Sequence, residues 1–241
     1  MSEWWTYRLG SFLLFSPRTY YRLFELYNEA VWPARILAMA LGLWILALLV
    51  RGGPTRGRAV GAVLAACWLW SGVAFLALRY AKINFAATYF AWAFALEAAL
   101  LVGMAVFPGR VAFEPRSGVG VPAGRLILLV SLVVFPILAP LFHRGWLCAE
   151  VFGLAPDPTA VATLGVLLTA RGRGRWLWMA VPVLWCVVTG LTLLAMKAPD
   201  FWISPLAAVV VVLVATRQRL DRRRAALSRP RASGPSPWSR G

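Results

Sequence analysis

Stretches of about twenty apolar residues recur along this chain at short intervals, and small clusters of arginine separate them. A helix of that length spans the roughly 30 Å hydrocarbon core of a bilayer. Apolar residues make up 61% of the 241 positions and charged residues only 14%, against about 45–50% and about 25% in soluble domains. The chain is therefore predicted to be an all-α, polytopic membrane protein.

The apolar stretches predict about seven transmembrane helices. They cover residues 31–50, 59–78, 86–107, 126–142, 160–170, 177–196 and 201–216. The fifth stretch reaches only about 17 Å at 1.5 Å per residue. It either begins within the membrane or is lengthened by the turn before it, and a re-entrant fifth segment would leave six crossings.

The flanking segments divide the chain into three parts. Residues 1–30 form an aromatic segment in which Ser16 and Pro17 start an amphipathic helix, predicted to lie in the membrane interface. Residues 31–216 form the transmembrane helical domain. Residues 217–241 form a basic tail, rich further on in Pro, Ser and Gly, that is predicted to be disordered.

The arginine clusters orient the chain. With seven crossings, residues 51–58, 110–125, 171–175 and the tail share one side and hold most of the 25 basic residues, so this side is predicted to be cytoplasmic. An inverted six-span arrangement collects a similar total, but it puts two arginine loops outside, directly beside spans. The strong preference for Arg over Lys indicates a bacterial protein, and we expect the inner membrane, with the N-terminus outside.

The formal charge of +16 does not indicate nucleic acid, because the arginines form no continuous face. The tail is instead expected to attract anionic lipids. The cysteines Cys67, Cys148 and Cys186 are far apart and His143 is the single histidine, so no metal site or cofactor is predicted. No catalytic motif appears, and an enzyme is not the expected function.

Glu97 is the one acidic residue deep within a predicted span. A charge there costs about 2.5–3.5 kcal/mol on insertion scales, so the carboxyl requires burial with a partner or protonation. Arg35 and Arg79 lie near the same end of their spans and are the candidate partners. Glu97 is either half of a structural ion pair or a packed neutral group, or else a proton-relay or ligand site.

The turn Pro156-Asp157-Pro158-Thr159 precedes the short fifth stretch. A helix that begins below the membrane surface directs its free amides and positive dipole end into the bundle, as transporters do toward anionic groups. Asp157 would then either cap the helix or occupy the ligand position itself. The turn is therefore a second candidate site.

Several stretches carry a resemblance to a known family. They are SEWWTYRL at 2–9, FSPRTY at 15–20, INFAA through Glu97 at 83–97 and FGLAPDPT at 152–159. Over residues 2 to about 216 the chain resembles an uncharacterised family of bacterial multi-pass membrane proteins, a domain of unknown function. The resemblance implies the topology and no activity. Members often have Cys where Asp157 stands, and that departure weakens any thiol or metal role for the turn.

Two classes of function follow. The first is a transporter or channel for a small solute or ion, based on the proline-kinked fourth and sixth helices, the short fifth helix and Glu97. The second is a non-catalytic membrane scaffold or accessory subunit that acts through protein or lipid contacts, alone or as an oligomer. A membrane enzyme built on His143, Glu150, Asp157 and Asp200 ranks third.

Overall fold

A computed structural model describes residues 15–51, 56–106, 112–113, 120–171 and 174–227. Most of these residues are helical, the stretch 142–155 is mainly loop, and two short strands, β1 (Ala112–Phe113) and β2 (Ala170–Arg171), pair antiparallel. The α-helices are α1 (Pro17–Ala30), α2 (Ala34–Arg51), α3 (Arg56–Trp70), α4 (Ala87–Val106), α5 (Gly120–Leu141), α6 (Pro156–Thr169), α7 (Arg175–Ala195) and α8 (Ile203–Leu227). The predicted helical class is confirmed.

Six helices in the described ranges are long and apolar enough to cross a membrane: α2, α3, α4, α5, α7 and α8. Helix α3 continues directly into a π-helix, Ser71–Ala77. Together with the turn that follows, they form one apolar segment of spanning length from Arg56 to Lys82. The predicted count of seven is not confirmed. The seventh candidate, α6, has 14 residues and reaches only about 21 Å.

Helix α6 lies in the middle of the bundle, and all of its residues are buried. It runs antiparallel to α5, because Ser131 of α5 donates a hydrogen bond to the Pro158 carbonyl while Gly124 lies against Gly165. Ser131 precedes the end of α5 at Leu141 by ten residues, or about 15 Å along the helix. Helix α6 therefore begins inside the bundle, and it is lengthened by the predicted turn, whose residues 156–159 form its first turn.

The bundle has two chemically different ends. One, here called the α1 end, carries α1, the turn at Tyr80–Lys82, the 142–155 loop and the connection between α7 and α8. The opposite, arginine end carries the β1–β2 pairing, the start of α7 and the last part of α8, where Arg175 bonds to the Ala215 carbonyl and Gln218. The arginine clusters in the described ranges thus share one end, while the membrane orientation stays a prediction.

Helix α1 covers the α1 end as a cap. Ser16 accepts a hydrogen bond from the Thr19 amide, which confirms the predicted helix start. The face that carries Tyr20 and Phe24 is buried, whereas Arg18 is exposed. The amphipathic helix is confirmed, its location in a bilayer interface stays a prediction, and residues 1–14 lie outside the described residues.

The end of α8 corrects one expectation. Helix α8 continues to Leu227, so residues 217–227 are helical rather than disordered. This segment consists mainly of Arg, Gln, Leu and Ala, which favour helix, and contains no Gly or Pro before Pro230. Residues 228–241 lie outside the described residues.

Candidate functional site

The segment just before α6 is non-helical backbone inside the bundle, and the backbone polar groups of Gly153 and Leu154 are hydrogen-bonded. Gly153 has a φ of +78°, which glycine adopts at little cost. Its amide donates to the Thr159 hydroxyl (2.8 Å) and its carbonyl accepts from Ser71 (3.3 Å). The Tyr27 hydroxyl donates to the Leu154 carbonyl (3.1 Å). Such pairing lets irregular backbone persist at membrane depth and holds the start of α6 in place.

The Asp157 carboxylate is the centre of the candidate site. It is 4% exposed and accepts hydrogen bonds from Trp185 Nε1 (2.7 Å) and from the Thr189 hydroxyl (2.8 Å), both on α7. The residue before the helix is Ala155, and no side chain caps α6. Asp157 therefore bridges to α7 instead of capping its own helix, while the positive end of the helix dipole still stabilises its charge.

The start of α6 is poorly suited to an anion. The first turn of a helix normally offers free backbone amides, but Pro156 and Pro158 have none. Asp157 adds a carboxylate of its own at the same place. Binding of an anion at the start of α6, one of the possibilities raised by the sequence, is therefore unfavourable. A carboxylate at this position is better suited to a cation or a proton.

A narrow crevice lies between α1, α7 and the start of α6. Its lining is largely aromatic, with Asp157 and two threonines as polar groups: Tyr20, Phe24, Phe75, Tyr80, Phe90, Pro156, Asp157, Trp185, Val188, Thr189 and Thr192. The cavity volume is about 10 Å³, which is room for about one water molecule. A larger solute could reach Asp157 this way only if α1 moved.

Further charged groups lie near the crevice without lining it. Arg144 pairs with Asp200 and donates a hydrogen bond to the Tyr21 hydroxyl (2.8 Å). Asp200 Oδ1 and Glu150 Oε2 are buried without a hydrogen-bond partner in the described part of the chain. Burial, with a smaller contribution from the Asp157 carboxylate, raises the pKa of Glu150 well above its usual range. We call Glu150, Asp157 and Asp200 the acidic cluster; Arg144 is the cation that pairs within it.

The acidic cluster is not arranged as a metal site. Within the described residues, no group of three or more His, Cys, Asp or Glu side chains is close enough to hold a metal ion. His143 is exposed, with a φ of +60°, and its side chain makes no contact that would add it to the cluster as a ligand. The carboxyls can instead exchange protons one at a time, or hold a monovalent cation singly.

Glu97 lies elsewhere in the bundle. It is fully buried on α4, and neither carboxyl oxygen has a hydrogen-bond partner among the described residues. Arg35 donates instead to the Trp146 carbonyl (3.3 Å), and Arg79 lies over the Tyr27 ring (5.8 Å). Of the alternatives for Glu97, the ion pair with these arginines does not form among the described residues, because both arginines lie at the α1 end, about 15 Å along the helix from the middle of α4. Glu97 also does not line the crevice.

The partners of Asp157, which are Trp185 and Thr189, were not identified from the sequence. Trp185 and Thr189 are four residues apart and so share one face of α7. A Trp and a Thr at that spacing in an apolar helix offer two donors to one acceptor on a neighbouring helix. That pattern could have predicted a buried acceptor opposite this face of α7.

Replacing Glu150 with glutamine is expected to change the pH dependence of stability. Because the pKa of Glu150 is raised in the folded protein, its stabilising contribution is present at acidic pH and is lost as pH rises through the raised value. As pH rises from the ordinary pKa of a glutamate to the raised pKa of Glu150, the thermal unfolding midpoint of the wild type in detergent should fall. The midpoint of the Glu150→Gln variant should fall less over the same pH interval. Equal pH profiles for the two proteins would contradict the raised pKa.

Comparison with known proteins gives a family and no activity. The chain belongs to the family of unknown function DUF6064, whose sequence profile matches residues 18–226. No curated protein and no solved structure matches it. The match covers every helix described above except the first residue of α1 and the last residue of α8.

Proposed function

We propose that this member of a family of unknown function is a small-ion transporter or channel, and that its ion is the proton. The observation that carries the proposal is the position of Asp157. It stands at the start of a short helix inside the bundle, directly below a crevice from the α1 end. Transporters place substrate and ion sites at such interrupted helices.

The charge and the size of the site favour a proton over a larger solute. The acidic cluster contains three carboxyls and pairs with one arginine, so it attracts positive charge. The crevice has room for about one water molecule, which is enough to pass a proton to Asp157 by hydrogen bonding. An organic solute would meet the aromatic side chains of α1 first.

Glu97 is the candidate for a second proton site, nearer the arginine end. From Asp157, the polar groups of α6 continue to Thr163, which accepts a hydrogen bond from Trp68 Nε1 (2.8 Å). The Trp68 ring contacts Phe94, with centroids 4.3 Å apart, and Phe94 lies one turn before Glu97 on α4. A buried carboxyl without a partner is costly as an ion, which suits a group that carries a proton during part of a cycle.

The test is proton flux in proteoliposomes that contain a pH-sensitive dye. The wild type should dissipate an imposed pH gradient faster than empty vesicles, and Asp157→Asn should lower the protein-dependent rate at least tenfold. The variant should fold, because its amide oxygen can accept from Trp185 while its NH₂ donates to the Thr189 hydroxyl. Asp221→Asn, on the exposed part of α8, is the control and should keep the wild-type rate.

Two outcomes would overturn the proton assignment. One is a wild-type rate equal to that of empty vesicles. The other is an unchanged rate in Asp157→Asn. A flux that requires a sodium or potassium gradient, and not a pH gradient, would assign a monovalent cation to the same site instead.

The second candidate is a scaffold or accessory subunit that acts through lipid or protein contacts. The end of α8 favours it, since Arg217, Arg219, Arg223 and Arg224 are exposed on a helix that extends beyond the apolar segment. Anionic lipid or an acidic protein surface would suit this charge. Deleting residues 217–241 should leave the flux of a transporter unchanged after reconstitution, and should abolish the role of an accessory subunit.

For either function we place the protein in the bacterial inner membrane, with the N-terminus outside and the C-terminus in the cytoplasm. The support is the common position of the arginine clusters at one end of the bundle. A reporter fused after Arg51 should be cytoplasmic, and a periplasmic reporter would reverse the orientation.

A further inference from the structure

A groove on the lipid-facing side of the bundle lies between α2 and α3. Its cavity volume is about 170 Å³, and its lining is apolar: Ala34, Leu37, Ala38, Leu41, Ala66, Cys67, Trp70, Gly153 and Leu154. The floor is the non-helical segment that precedes α6. Gly153 and Leu154 are themselves buried, whereas the wall residues Leu37, Ala66 and Trp70 are exposed, so the apolar groove is open to an occupant from outside the chain.

A cation lies beside the groove without lining it. Arg35 lies in the first turn of α2, next to the lining residue Ala34, and is partly exposed. In the described ranges Arg35 forms no ion pair, and its guanidinium donates only to the Trp146 carbonyl. The charge is thus positioned for an anion that comes from outside the chain.

The side chains around Arg35 indicate that it lies at headgroup level. Trp32 and Trp146, which flank it, are 62% and 64% exposed. Exposed tryptophans at the end of an apolar helix are typical of the membrane–water interface. From Arg35 to Leu41 the helix descends about 9 Å, and this stretch is one wall of the groove.

We propose that this groove binds one anionic phospholipid, with its phosphate on Arg35 and an acyl chain between α2 and α3. The chain would pack against Leu37 and Leu41 and reach Gly153 and Leu154. This inference does not depend on ion transport, because it rests on a different surface of the bundle.

The test is retention of lipid by the purified protein, measured by native mass spectrometry with phosphatidylglycerol or phosphatidylcholine added to the detergent. The wild type should retain one phosphatidylglycerol in preference to phosphatidylcholine, and phosphatidylglycerol should raise its thermal midpoint. Arg35→Gln should lower that preference about fivefold, the effect of one basic group near the membrane surface. Arg35→Lys should keep most of it.

A second variant tests the groove itself. Ala66 is an exposed lining residue, so Ala66→Phe should fill the groove without disturbing the core and should abolish retention of both lipids. Arg51→Gln, at the other end of α2, and Ala62→Phe, exposed one turn from Ala66 outside the groove, are the matched controls and should retain lipid. The thermal unfolding midpoint of each variant, measured without added lipid, tests whether that variant is folded.

Retention of phosphatidylglycerol at the wild-type level in both Arg35→Gln and Ala66→Phe would overturn the proposal. So would equal losses in the variants and their controls, because the binding would then be unspecific. Conversion of a dimer to a monomer by Ala66→Phe, with lipid retention unchanged, would show that a second copy of the chain occupies the groove and would also overturn it.

Discussion

Replacing Gly165 with valine is expected to prevent α6 from packing into the bundle. A Cβ atom at Gly165 would lie 2.7 Å from the Gly124 carbonyl oxygen and 2.8 Å from the Leu128 amide nitrogen of α5. Both are backbone atoms, which cannot rotate away, so the two helices would have to separate. We expect a loss of about 3 kcal/mol or more, at the upper end of overpacking effects, because all residues of α6 are buried.

The matched control is Gly103→Val on α4. A Cβ atom there would have nothing within 4 Å, so its effect should be confined to the change in helix propensity, within about 1 kcal/mol. Size-exclusion chromatography after heating in detergent measures both variants. A monodisperse Gly165→Val protein with the thermal midpoint of the Gly103→Val control would contradict the close approach of α5 and α6.

Replacing Asp157 with alanine is expected to destabilise the protein by about 3 kcal/mol. The change leaves Trp185 Nε1 and the Thr189 hydroxyl buried without an acceptor, and each unsatisfied group costs about 1–3 kcal/mol. Asp157→Asn should be much closer to the wild type, because it keeps both contacts. Unfolding in detergent at neutral pH compares the three proteins.

A double-mutant cycle separates the hydrogen bond from other effects of the substitution. Thr189→Val removes one donor at nearly constant volume, and in the Asp157→Ala background it should cost less than in the wild type. We expect a coupling of about 1 kcal/mol between these contacting positions. Additive effects, or an Asp157→Ala protein as stable as Asp157→Asn, would mean that the carboxylate does not hold α7 to α6.

Several features of the fold could be predicted because they depend on neighbouring residues alone. Ser16 and Pro17 mark the start of α1, since capping and the fixed φ of proline are local. The apolar stretches predict the long helices, since a bilayer sets a minimum length for each. The shortness of the stretch at 160–170 indicated a helix that begins within the membrane or is lengthened by the turn before it, and α6 includes that turn as its first four residues.

The partners of the buried carboxyls could not be predicted in the same way. Glu97 and the arginines Arg35 and Arg79 have opposite charges, but the helices hold them at different depths, and their side chains do not meet. Asp157 was expected either to cap its own helix or to occupy a ligand position, and its carboxylate oxygens accept hydrogen bonds from Trp185 and Thr189 of α7. Which side chains meet depends on the rotation and the depth of whole helices.

Apolar length and arginine position thus predict a helical membrane protein with its arginine clusters on one side, because a bilayer constrains each segment through that segment's own length and flanking charges. Packing between helices decides the rest: that six helices have spanning length while α6 lies buried among them, and that Asp157, not Glu97, faces the crevice. Those outcomes arise from contacts between residues far apart in the chain, where a close approach such as that of Gly124 and Gly165 sets the depth of a helix.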